Sequence, residues 1–147
     1  MKVLVLALTG LLIAAGCSQI PGFSGPSPSA SASPAVHLDD GVPTPAAFPA
    51  DLPVYPMARL TAAAAFSSAG QVTWGMEWET ADDPAKVQAY YLRQLNQGDW
   101  KLTVGNAPSG ALFAGTFARN SNSHSTGTIA VKADQGLTLI ALSLSQS

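Results

Sequence analysis

Several groups of side chains in this chain have the types and spacing to do chemistry. Glu77 and Glu79 are two residues apart, which in a strand sets both carboxylates on one side about 7 Å apart, the kind of spacing a general acid and base pair uses. Glycosidic carboxylates, however, come from different elements across a cleft, and a Glu-x-Glu on one strand is the ordinary wet side of a sheet. Trp74 and Trp78 alternate with these acids and admit two readings: a stacking platform for sugars or peptides, or a core layer beneath a helix, which the helical segment that follows favours. His124 stands in the loop Asn120-Ser121-Asn122-Ser123-His124-Ser125-Thr126, where a Ser-His pair is conceivable. A loop with no orienting carboxylate holds such a pair poorly, and an exposed loop histidine is the plainer expectation. Upstream, His37 with Asp39 and Asp40 could donate to a metal, but the Pro-rich surroundings supply no rigid supporting shell.

Around these residues no catalytic framework assembles. The chain has no Gly-x-Ser-x-Gly elbow, His-Glu-x-x-His motif or phosphate-binding glycine loop, and its single cysteine excludes an internal disulfide or a thiolate metal cluster. No cofactor and no metal site is expected. At 147 residues the chain suits one modest domain, and a net charge of −2 with 11% charged residues lacks the basic field that nucleic acid would require.

The cysteine has a different role. Lys2 precedes a run from Val3 to Ala15 that is apolar apart from Thr9 and Gly10. As a helix that run reaches roughly 20 Å, short of a bilayer core of about 30 Å, so it reads as a signal peptide over residues 1–16. Leu12-Ile13-Ala14-Ala15-Gly16-Cys17-Ser18 resembles the lipobox of bacterial lipoproteins, with Ala14 where leucine is commonest. The resemblance implies cleavage between Gly16 and Cys17, a diacylglycerol thioether on Cys17, and often acylation, as with palmitate, of the new amine. Two or three acyl chains, at about 0.8 kcal/mol per buried methylene, hold a protein on a membrane far better than one. Cys17 is then an anchor, placing the protein on the extracytoplasmic face of a plasma or outer membrane.

Residues 17–49 form the lipidated start and a linker rich in Pro, Ser and Ala, most plainly Gly25-Pro26-Ser27-Pro28-Ser29-Ala30-Ser31-Ala32-Ser33-Pro34. Prolines remove backbone donors, and small side chains bury too little apolar area to offset ordering entropy. The folded domain is expected over residues 50–147. Leu52-Pro53-Val54-Tyr55-Pro56 reads as an extended strap, and a first strand follows over Met57 to Phe66, with Leu60, Ala62, Ala64 and Phe66 sharing a face. Val72, Trp74, Met76 and Trp78 mark a second. Asp83 and Pro84 open a helix that stops near Gln97-Gly98, with an apolar stripe of Val87, Tyr91 and Leu95. Alternation predicts four more strands, from Trp100, Ala111, Gly127 and Leu137, the last two joined by a three-residue hairpin at Asp134-Gln135-Gly136.

The order β-β-α-β-β-β-β implies an α+β fold, an antiparallel sheet of five to six strands packed on one helix. The Leu-Pro-Val-Tyr-Pro strap, Tyr90-Tyr91-x-x-x-Leu95 and Gly98-Asp99-Trp100 resemble a pattern in small, uncharacterised bacterial envelope domains, a likeness that implies fold more than activity. Two functions follow as expectations. One is a noncatalytic binding or assembly module, displayed from a lipid anchor to an envelope protein or a small apolar ligand, with Trp74, Trp78, Glu77, Glu79 and His124 as its surface. The other is an envelope hydrolase using Glu77, Glu79 or His124.

Overall fold

A computed structural model describes residues 36–147; the expected signal segment, the expected cleavage site at Gly16 and Cys17, and the first part of the expected linker lie outside the described residues. The elements are β1 (Arg59–Ser68), β2 (Gln71–Thr80), α1 (Pro84–Gln94), β3 (Trp100–Val104), β4 (Phe113–Arg119), β5 (Ser125–Asp134) and β6 (Leu137–Gln146). The fold is α+β, dominated by a six-stranded antiparallel sheet in the order β1-β2-β6-β5-β4-β3. Between β2 and β3 the chain crosses one face of the sheet through α1, and β6 returns to fill the gap between β2 and β5.

Alternation on the strands decides which face is covered. Trp74, Met76 and Trp78 of β2, Ile140, Leu142 and Leu144 of β6, Ile129 and Val131 of β5, and Phe113 and Phe117 of β4 all point inward and are buried. Against them lie Val87 and Tyr91 of α1 and Leu95 at its C-cap, each 0% exposed, the stripe expected from the spacing. The helix starts where the sequence places it: Asp83 accepts from the Ala85 N–H at 2.8 Å, and Pro84 occupies the first turn. It stops at Gln94, before the expected Gln97-Gly98. Asn96 accounts for the early end, donating to the Leu92 carbonyl at 2.9 Å and accepting from the Leu102 N–H at 3.1 Å, so one side chain closes the last turn and ties it to β3.

Three other expectations change. The packed body begins upstream of residue 50: Val42 N–H donates to the Leu60 carbonyl at 2.8 Å, and Phe48 packs edge-on against Trp74 at 6.0 Å. Phe48 is the apolar anchor that the small, Pro-rich composition around it conceals. In β1, a bulge between Leu60 and Ala62 changes the parity, so Leu60 faces the core opposite Trp78 while Ala62, Ala64 and Phe66 turn to the other face. The β5–β6 turn has two central residues, with Asp134 paired to Leu137 and positive φ at both Gln135 (47°) and Gly136 (85°). That is the mirror-image turn whose twist matches the flanking strands.

Candidate functional site

The face of the sheet away from α1 is built from small side chains. In register across it run Ala62, Glu77, Ala141, Ala130 and Ala114, and beside them Ala64, Gly75, Ser143, Thr128, Thr116 and Thr103. A solvent-facing sheet ordinarily carries charged and long polar side chains. Here β4, β5 and β6 carry none on these two rows, and the surface over them sinks into a trough of about 420 Å³. Its floor is Ala114, Ala130 and Ala141, hydroxyls of Thr116, Thr128 and Ser143 line one side, and the loop at Gly105, Asn106 and Pro108 forms a wall. The wall is held by the Gly105 N–H donating to the Ala114 carbonyl at 3.0 Å. Leu112, immediately before β4, is 61% exposed. The arrangement offers an apolar bed with a few hydroxyl partners, which suits holding a ligand rather than transforming one.

The residues singled out by sequence are not brought together. Trp74 and Trp78 are 2% and 4% exposed, so they form the core layer and not a stacking surface. Glu77 and Glu79 do share the outer face, but Glu79 is not on a wet surface: it is only 7% exposed. The chain from Val36 to Asp40 crosses above it, and the Asp39 N–H donates to Glu79 Oε2 at 2.9 Å. Arg59 completes the clasp by donating to the carbonyls of Leu38 and Asp39. His37, Asp39, Glu79 and Asp134 border one hollow there, yet among the described residues no three His, Cys, Asp or Glu side chains group as metal ligands. His124 is exposed, in a turn where its N–H donates to Asn122 Oδ1 at 3.0 Å. It precedes Ser125, which pairs with Gln146 at the end of β6, whereas Glu79 pairs with Leu139 near its start. Seven residues of strand, about 23 Å, separate the two levels, so Glu79 and His124 cannot share a substrate bond.

The strap motif is structural. Leu52 and Tyr55 are buried, the Tyr55 N–H donates to the Tyr91 hydroxyl at 3.2 Å, and the Tyr90 hydroxyl donates to the Val54 carbonyl at 2.7 Å. Burial pushes the Tyr91 hydroxyl far above the usual phenol range, so it stays neutral. Tyr55 donates its own hydroxyl to Asp82 at 2.9 Å, a hydrogen bond that, with Lys86, holds the Asp82 carboxyl below its usual range. At the other end Arg119 pairs with Asp51 at 2.9 Å and Asp99 at 3.3 Å while lying over the Trp100 ring, 4.4 Å from its centroid. Hydrogen bonding from Arg119 keeps Asp51 below the usual carboxylate range, against the opposing effect of partial burial. Asp99 is lowered chiefly by Ser121, whose hydroxyl and N–H both donate to it.

The trough residues escape a motif search because none is reactive. Their signal is the parity opposite the core: at Ala114, Thr116, Thr128, Ala130, Ala141 and Ser143 the outward positions of three successive strands hold no charge. No helix among the described residues is long and apolar enough to cross a membrane. No curated protein and no solved structure matches the chain significantly. Residues 60–136, more than half of the chain, match a family described as START domain-like.

Proposed function

The chain belongs to the START domain-like family, and from that premise we propose that it is a noncatalytic binding module whose ligand is a small apolar molecule received in the outer-face trough. One observation carries the reading: a depression of about 420 Å³ floored by Ala114, Ala130 and Ala141 on a sheet face that would otherwise be charged. Domains of this kind are associated with small apolar ligands, and the hydroxyls of Thr116, Thr128 and Ser143 would orient a ligand with one or two polar groups. The helix side of the sheet is taken up by Tyr91, Leu95, Ile129 and Ile140, which favours the opposite face as the receiving one. In this proposal the module stands on the extracytoplasmic face of a membrane, held by lipid on Cys17 and spaced by the linker, an arrangement supported by the lipobox-like residues Leu12 to Cys17.

Titration of the full chain with the neutral fluorescent probe N-phenyl-1-naphthylamine tests the binding reading. Saturable fluorescence enhancement is expected from the parent, with at least a tenfold loss of affinity in Ala130→Phe, whose ring would occupy the floor. Equal binding by both proteins would refute the trough as the site. Mass spectrometry of the native polypeptide tests the anchor separately: an intact Met1 with no added acyl chains would end that part of the proposal.

A further inference from the structure

The sheet has two edges of unequal character. β3 is five residues long and carries Lys101, the kind of short, charged edge that resists pairing. β1, at the other edge, is ten residues long, and from Ala62 to Ser68 it holds no charge and no proline. All of those residues except Ala63 are exposed, and Phe66 is 69% exposed on the trough side.

Which backbone groups are free follows from the hairpin. Ala69 (φ 49°) and Gly70 (φ 81°) make a two-residue mirror-image turn, so Ser68 and Gln71 are the first pair to exchange hydrogen bonds. Alternation then commits Ser68, Phe66, Ala64 and Ala62 to β2, and leaves the N–H and C=O of Ser67, Ala65 and Ala63 directed away from the sheet. Below Ala63 the edge closes, because the bulge interrupts it at Thr61 and Val42 already donates to the Leu60 carbonyl.

We propose that this stretch pairs antiparallel with the same stretch of a second copy of the chain, about a two-fold axis at Ala65. The self-complementarity of the edge selects that occupant. Centred on Ala65, the pairing uses every free group: Ala65 faces its counterpart, and Ala63 faces the second copy's Ser67 in both directions. A register shifted by one two-residue step sets Ser67 against the interrupted edge at Thr61 and leaves its groups unpaired. In the same register Phe66 falls opposite Ala64 of the second copy, in the closer, non-hydrogen-bonded type of pair, with the second copy's Ala62 and Phe66 on its two diagonals. The exposed rings therefore meet alanine directly and lie within reach of each other across the axis. No charge lies in the paired stretch, so two identical edges meet without like-charge repulsion. The axis stands perpendicular to the sheet and keeps both outer faces on one side, with both Val36–Asp40 segments leaving from that side. The pairing is independent of the ligand reading.

Sedimentation equilibrium of the full chain carrying Cys17→Ser, in density-matched neutral detergent, is expected to give twice the monomer mass. In Ala65→Pro the proline removes only an outward N–H, and in Phe66→Lys a charge replaces the exposed ring. Each should weaken association at least tenfold while leaving the circular dichroism spectrum intact. In the same background Ala65→Cys should form a disulfide-linked dimer on mild oxidation, since hydrogen-bonded partners about 5.5 Å apart lie within disulfide reach, and Thr103→Cys on β3 should not. A monomer at all concentrations, a dimer unchanged by Phe66→Lys, or cross-linking through Thr103→Cys in preference to Ala65→Cys would overturn the proposal.

Discussion

Gly127 and Gly75 lie on opposite faces of the same sheet, and replacing each by alanine should have opposite consequences. A Cβ on Gly127 would come within 2.8 Å of Phe117 Cε2, and closer still to Phe117 Cζ and the Ser143 carbonyl oxygen. Phe117 is 2% exposed and packed edge-on against Trp100 at 5.6 Å, so its ring has nowhere to go, and the carbonyl is fixed in the ladder between β5 and β6. Overpacking of this kind costs about 1–3 kcal/mol, and the backbone contact places Gly127→Ala at the upper end. A Cβ on Gly75 meets nothing within 4 Å. Gly75→Ala should be neutral or stabilising by up to about 1 kcal/mol, because the unfolded chain loses freedom that the strand never used. With an unfolding entropy of about 2.1 cal/mol/K per residue over about 110 residues, each kcal/mol moves Tm by about 4 °C. Gly127→Ala should therefore melt about 12 °C low and Gly75→Ala at or up to about 4 °C above the parent. Thermal and urea unfolding, followed by the fluorescence of the buried Trp74, Trp78 and Trp100, reads both. A Gly127→Ala protein within about 1 kcal/mol of the parent, or a Gly75→Ala protein as unstable as Gly127→Ala, would refute the assignment of inner and outer faces.

Tyr91→Phe removes the acceptor of the buried Tyr55 N–H and should cost about 1–3 kcal/mol in urea unfolding, whereas Tyr90→Phe, which strands only a carbonyl near solvent, should cost about 1 kcal/mol; equal effects would show that the strap is not held as described. Asp51, Asp82 and Asp99 have carboxyls held below their unfolded values, so each contributes stability that is fully present above the ordinary carboxylate range and is lost as pH falls through the folded value. Asp51→Asn should accordingly lower stability slightly at pH 7, with the difference from the parent vanishing as pH falls below about 4, so that its acid slope is shallower, as measured by unfolding across an acid pH series. An unchanged acid profile would mean that the pair with Arg119 is lost in solution.

The element order was legible because strong local signals agree: Asp83-Pro84 opens α1, Val87, Tyr91 and Leu95 repeat at helical spacing, and Trp74, Met76 and Trp78 alternate. Strap and helix were also read as parts of one pattern, and the structure adds the reason, hydrogen bonds from Tyr55 to Tyr91 and from Tyr90 to Val54. Parity in β1 was not legible, since a single extra residue among alanines leaves no hydrophobic mark when it slips. Glu79 misled for a related reason: alternation gives the side of a strand, but not whether another segment lies across that side. The trough lacks a signature of its own because alanine, serine and threonine are common everywhere, and only their register over three strands makes a surface.

The route of the chain into the domain has a mechanical consequence. A pull on the residues before Val36 meets the Asp39–Glu79 hydrogen bond, the Arg59 clasp and the Val42–Leu60 hydrogen bond in turn, all before it reaches Phe48 and the aromatic interior. Load entering there is thus spent first in peeling a short surface ribbon, residues 36–42, from the sheet before it reaches the core.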